Sequence, residues 1–225
     1  MQKGIFITGT GTDVGKTYIC GLLVKQLREF GVNCGYYKPV LSGATVQNNE
    51  LVAGDVQHVL TTAQMAGNSL DFVSYALEPA VSPHLAAKMS NQEILSSKIL
   101  TDFNFHVEKN DFTVVEGAGG IICPLNVEKN FFMYDLPRLL SLDVIIVADA
   151  GLGTINNTFL TVDFIKRQGL NIKGIILNNY DENNFMHTDN KAVTEKICDV
   201  AIIGFVAKNS EKIKFTHKSI EALYE

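Results

Sequence analysis

Short runs of β-branched and aliphatic residues alternate along this chain with longer stretches in which apolar side chains return every three or four positions. The short runs suit strands buried on both faces, and the longer stretches suit helices packed against such a sheet. Strands are predicted at 4–8, 33–38, 112–116, 143–149, 172–178 and 200–206. The first helix is predicted from near Lys16 to a stop at Gly31, with Ile19, Leu22, Leu23, Leu27 and Phe30 on one face. Further helices are predicted over 53–60, 91–108, 156–168 and 189–198, with a last one near the C-terminus. Segments 41–50 and 179–187 are polar and rich in Gly, Asn or Asp, and read as surface loops of the kind that carry function at the carboxyl ends of strands. The alternation predicts an α/β fold: one mostly parallel central sheet with helices on both faces. No repeat or linker divides it, so a single domain over 1–225 is expected.

Composition narrows the function classes. The 225 residues are 46% apolar, enough to bury one full core. There are 19 Lys and Arg against 24 Asp and Glu, and no long basic block, which argues against nucleic acid as a partner because phosphate neutralisation supplies most of that affinity. The longest apolar run, 144–148, is far below the ~18 residues of a spanning helix, and the run at 4–7 is too brief for a secretory segment. No membrane partner and a cytoplasmic location are therefore expected. Cys20, Cys34, Cys123 and Cys198 are scattered with no CxxC, and read as buried intracellular thiols rather than a zinc site or disulfide framework.

Chemistry first appears between the first strand and the first helix. Gly9-Thr10-Gly11-Thr12-Asp13-Val14-Gly15-Lys16-Thr17 is a Gly-rich turn opening a helix, where backbone N–H groups and the helix dipole converge on phosphate. Lys16 then reaches the β/γ-phosphates and the Thr17 hydroxyl ligates Mg²⁺. The loop reads G-x5-G-K-T, one residue longer than the usual phosphate loop. Nucleoside triphosphate binding and a P-loop NTPase-like fold follow.

Three further side chains fit that reading. Glu116 closes an apolar strand and runs into Gly117-Ala118-Gly119-Gly120, where an acid holds Mg²⁺ directly or through water and the glycines let a ligand approach the backbone. Lys38 ends the second strand and is placed to meet an anion from the side opposite Lys16. Asp55 is either a second carboxylate for the metal or a helix-start acid favoured by the macrodipole.

Apart from Asp55, these residues lie within segments of a set of four, Ile7-Thr8-Gly9-Thr10-Gly11-Thr12-Asp13-Val14-Gly15-Lys16-Thr17, Gly35-Tyr36-Tyr37-Lys38-Pro39-Val40-Leu41-Ser42-Gly43, Glu78-Pro79-Ala80-Val81-Ser82-Pro83-His84 and Val115-Glu116-Gly117-Ala118-Gly119-Gly120. In order and spacing the segments resemble the dethiobiotin synthetase family, which uses the same G-x5-G-K-T loop. The resemblance spans nearly the whole chain, strongly to about Asn157 and faintly after Asn179. It implies ATP-dependent carboxylation and ring closure of 7,8-diaminononanoate with CO₂ to give dethiobiotin, ADP and phosphate, through a carbamate and a carbamic-phosphoric anhydride.

The resemblance also implies roles by position. Lys38, Lys16 and Thr12 take the catalytic places, and Ser42, Thr12, Thr154 and Asn156 the places of substrate binding. ATP falls to Asp13, Val14, Gly15, Lys16, Thr17, Asp55, Glu116, Gly117, Ala118, Gly119, Asn178 and Asn179, with Asn178 at the adenine edge. Mg²⁺ falls to Thr17, Asp55 and Glu116. The segment Leu152-Gly153-Thr154-Ile155-Asn156-Asn157 resembles the helix start that binds the substrate's tail carboxylate across a homodimer interface. The chain departs from the family at Ala207, where a proline is common.

The competing class is a regulatory ATPase of the partition or septum-site type, which shares the fold. Those proteins carry an extra lysine near the start of the phosphate loop, where this chain has Gly9-Thr10-Gly11. An amidotransferase synthetase needs an appended glutaminase domain, for which 225 residues leave no room.

Overall fold

The structure is a computed structural model and describes residues 3–216 and 223. In chain order the elements are β1 (Gly4–Gly9), α1 (Lys16–Glu29), β2 (Cys34–Ser42), β3 (Thr45–Gln47), β4 (Glu50–Val52), α2 (Gly54–Thr62), β5 (Val73–Leu77), α3 (Pro83–Met89), α4 (Ser96–Lys109) and β6 (Phe112–Gly120). There follow β7 (Pro124–Asn126), β8 (Phe131–Phe132), α5 (Asp135–Leu139), β9 (Asp143–Asp149), α6 (Thr154–Arg167), β10 (Ile172–Asn178), α7 (Phe185–Cys198), β11 (Ile202–Val206) and β12 (Lys214–Phe215).

Among the described residues eight strands form one sheet in the order β12-β11-β10-β9-β1-β6-β2-β5. Every pairing in it is parallel except β11 with β12. The strand cores are apolar at consecutive positions because both faces are covered. Ile5, Ile7, Ile145 and Val147 pack with α1 and α2 on one side. Phe6, Val144, Ile146 and Ala148 pack with residues of α3, α4, α6 and α7 on the other. Period-two alternation here separates two buried faces rather than core from solvent.

The α1 stripe is buried at Ile19, Leu22, Leu23 and Leu27, as its spacing predicts, but Phe30 is 58% exposed. The helix has ended by then: Phe30 is the C-cap and Gly31 turns left-handed at φ 86°. Leu23→Ala, at a fully buried position, is expected to cost about 2–5 kcal/mol in urea unfolding, through lost burial and the cavity left behind.

Two predicted strand ends move. β2 runs on through Pro39 to Ser42, so Lys38 lies inside the strand, and β6 likewise continues past Glu116 to Gly120. β2 pairs with β6 from Cys34 to Tyr37 and with β5 from Lys38 to Ser42. Pro39 has no N–H to donate, and the strand leaves β6 there to continue along the edge strand β5. The crevice this opens lies at the carboxyl ends of β1, β6 and β2, beside the strand from which the chain winds in both directions, the usual place for ligands in open α/β sheets. The segment read as a loop at 41–50 contains the end of β2, all of β3 and the first residue of β4, with which β3 forms a small hairpin. Of the last predicted helix, over 212–225, residues 212–216 are described and carry the short strand β12 rather than helix; apart from Leu223 the rest lies outside the described residues.

Candidate active site

The phosphate loop leaves β1 and is tied to the neighbouring strand by the Thr10 N–H, which donates to the Val147 carbonyl at 3.0 Å. Asp13 and Gly15 take positive φ, 61° and 92°, conformations that let successive N–H groups face one concavity. Gly15 is the N-cap of α1 and offers no side chain, so the first-turn N–H groups and the positive end of the dipole are left to the loop. Lys16, 7% exposed, folds back over it and donates to the Gly11 carbonyl at 2.8 Å. Burial pulls its ammonium below the usual lysine range, and the charge of Lys38 adds to this against the opposing pull of Glu116.

Glu116 is the hub beneath the loop, 1% exposed. Its Oε1 accepts from the Thr17 hydroxyl at 2.7 Å and from Lys38 Nζ at 2.6 Å. Its Oε2 accepts from the Tyr36 hydroxyl at 2.6 Å. Lys38, 3% exposed, also donates to Asp55. Burial alone depresses the Lys38 ammonium, but the two carboxylates outweigh it and hold the group above its ordinary value, so it is charged at neutral pH. Asp55 stands in the first turn of α2, and its carboxylate faces Lys38.

The hard-oxygen set of Thr17, Asp55 and Glu116 suits Mg²⁺, which takes one or two carboxylates and leaves its remaining positions to water and phosphate. Above these residues opens a cavity of about 620 Å³. Thr12, Asp13, Gly15, Lys16, Thr17, Lys38, Ser42, Asp55, Glu116, Ala118 and Gly119 all line it, although they come from five separate stretches of sequence. Tyr18, Leu41 and His58 also line it and were not singled out from sequence. His58 follows Asp55 by three residues on α2, the spacing that shares a helix face. Tyr36 was quoted in a motif without a role; period two on β2 places it on the same strand face as Lys38.

With this geometry in view, the comparisons fall into two groups. Residues 3–213 match the family model described as an AAA domain. The "ATP-dependent dethiobiotin synthetase BioD" of Clostridium botulinum strain Eklund 17B is 46% identical over 226 residues, covering 100% of this chain and 99% of the relative. That of strain Loch Maree is 50% identical over 192 residues, 85% of each. The chain belongs to the dethiobiotin synthetase family.

More distant likenesses concern the fold alone. A cell division protein FtsY from Thermotoga maritima superposes with a TM-score of 0.57 at 15% identity, covering 100% of this chain and 69% of that one. A ParA family ATPase from Chlorobium tepidum gives 0.56 at 14%, covering 99% and 90%. The dethiobiotin synthetase chain thus has an α/β, P-loop NTPase-like fold.

The remaining predicted positions lie outside the main cavity. Val14 is the loop residue whose carbonyl accepts from Asn178 Nδ2 at 3.0 Å, so Asn178 at the end of β10 buttresses the phosphate loop. Asn179 donates to Asp149 at 2.6 Å. Gly117 is buried in β6, where a Cβ would meet the Phe6 ring at 3.0 Å. Thr154 is buried with its hydroxyl 3.3 Å from that of Thr158, and Asn156 is exposed in the first turn of α6. The helix start predicted at 156 is at Thr154, capped by Gly153 at φ 90°. A second cavity, also about 620 Å³, opens at the ends of β10 and β11, lined by Asn179, Tyr180, Phe205, Ala207 and Lys208 among others.

Proposed function

We propose that this protein is an ATP-dependent dethiobiotin synthetase, a ligase forming C–N bonds in biotin biosynthesis. The observation that carries the reading is the juxtaposition of Lys16 and Lys38 around one cavity floored by Glu116 and Asp55, in a chain of this family. One amine of 7,8-diaminononanoate takes up CO₂ as a carbamate, and a carbamate oxygen attacks the γ-phosphorus of ATP, releasing ADP. The second amine attacks the carbonyl carbon of the resulting carbamic-phosphoric anhydride, the C–O bond to phosphate breaks, and the cyclic urea closes.

The residues divide this work by position. Backbone N–H groups of residues 13–17 and the Lys16 ammonium hold the phosphates. Lys38 neutralises charge on the carbamate and the transferring phosphoryl group, and Thr12 orients them from the loop. Ser42, beyond Lys38 on β2, contacts the diamine. Thr17, Asp55 and Glu116 hold Mg²⁺, which supplies charge neutralisation to the β- and γ-phosphates when bound. Adenine stacks toward the second cavity, with Asn178 and Asn179 at its edge. The free N–H groups at the start of α6, around Thr154 and Asn156, take the substrate's tail carboxylate across a homodimer interface.

A cytoplasmic location completes the reading; no helix among the described residues is long and apolar enough to cross a membrane. Incubation of the pure protein with ATP, Mg²⁺, bicarbonate and the diamine is expected to yield dethiobiotin by mass spectrometry. Diamine-independent ATP hydrolysis without that product would favour a regulatory ATPase of the partition or septum-site type.

A further inference from the structure

The two oxygens of Glu116 are treated differently. Oε1 faces the cavity and is shared by the hydroxyl of Thr17 and the ammonium of Lys38, both of which line it. Oε2 accepts from the hydroxyl of Tyr36, which does not line the cavity, at 2.6 Å. Tyr36 is fully buried among Ile19, Cys20, Leu23 and other residues of the α1 face, so its ring is held by packing on every side. Tyr36 and Lys38 project from the same face of β2 and grip the carboxylate at two points.

With Oε2 bonded to a buried donor, Oε1 is the oxygen a cation would reach, in exchange for a hydrogen bond it now accepts from Lys38 or Thr17. Mg²⁺ takes single carboxylate oxygens in a tight octahedron, whereas Ca²⁺ is larger and commonly takes both oxygens of one carboxylate. We propose that Tyr36 is a positioning residue for metal choice: by holding Glu116 Oε2 it presents Oε1 alone to a divalent cation and so favours Mg²⁺ over Ca²⁺. The proposal rests on the reading of Glu116 as a metal-holding group.

The test is ATP binding by calorimetry in Mg²⁺ or in Ca²⁺, on the full chain and on Tyr36→Phe. The unmodified protein is expected to bind ATP more tightly with Mg²⁺; equal affinity overturns the proposal whether or not the variant folds. In Tyr36→Phe the Mg²⁺-to-Ca²⁺ affinity ratio is expected to fall by roughly tenfold, the usual scale for losing a partner of a metal ligand. An unchanged ratio, or equal weakening with both cations, overturns it. Tyr37→Phe removes a hydroxyl on the opposite face, where it meets Ser74 and the Ile99 carbonyl, and is expected to leave the ratio alone; a matching shift there overturns the proposal as a general loosening. Glu116→Gln separates the two levels. If it leaves metal dependence intact, the metal-site reading itself fails; if it abolishes that dependence while Tyr36→Phe leaves the ratio unmoved, the role given to Tyr36 alone fails.

Discussion

Lys38→Ala is expected to reduce dethiobiotin formation by roughly 10²–10³-fold or more while largely sparing ATP binding. On the proposed reading nucleotide affinity resides in the loop and Lys16, whereas Lys38, which lines the same cavity, meets the charge of the carbamate and the moving phosphoryl group. The same change should be felt in stability. Lys38 is the cation between Asp55 and Glu116, and its removal leaves Glu116 buried without it, a loss on the order of 3–5 kcal/mol when a buried pair is broken. The Asp55 side chain is 42% exposed, so solvent screens it and the cost falls mainly on Glu116. Added Mg²⁺ should return part of the lost melting temperature, because it offers the same two carboxylates a cation. Product measured by mass spectrometry and thermal unfolding with and without Mg²⁺ check both halves; full activity in the variant would remove Lys38 from the chemistry.

Gly15→Ala should cripple nucleotide binding with the charges untouched. Gly15 sits at φ 92°, and a Cβ built there comes 2.2 Å from Asn178 Nδ2. The left-handed backbone costs an L-residue about 1–2 kcal/mol. Asn178 must also move, which breaks its bond to the Val14 carbonyl at a further cost of about 1 kcal/mol. Expressed in binding, 2–3 kcal/mol is a fall of roughly 30- to 150-fold in ATP affinity. Calorimetric titration reads it directly, and an affinity equal to that of the unmodified protein would mean that the loop binds in some other conformation. Asn178→Ala should give the smaller effect, since it loses the buttress without the strain.

The sequence was most legible where one physical cause acts alone. Strands β9 and β10 have the ends that their apolar runs predict, because Asp149 and Asn178 stop those runs abruptly. The edge strand β5, Val-Ser-Tyr-Ala-Leu, went unread: with one neighbour and partial exposure it has neither the continuous apolar run of a central strand nor a clean alternation. Lys38 and Glu116 were recognised but placed at strand ends, since a charged residue after an apolar run normally marks a boundary. Each remains inside its strand because the other neutralises it. Their meeting depends on a crossover that brings residues 78 apart to 2.6 Å, which no local pattern encodes. The contiguous phosphate loop needed no such information. Tyr36 stayed hidden because a tyrosine in an apolar strand looks like packing until the carboxylate facing it is known.

The change of partner along β2 has an evolutionary consequence. Its first half is anchored to β6, which carries Glu116, while Lys38 to Ser42 are anchored to β5, which contributes none of the residues assigned to nucleotide handling. Lys38 and Ser42, the position proposed for diamine contact, thus hang on a different strand pair from Glu116. Substitutions in Val73–Leu77 can re-aim Ser42, paired with Leu77, without disturbing Thr17 or the phosphate loop. An edge strand that does not itself line the main cavity is therefore where this architecture can drift toward a different acceptor.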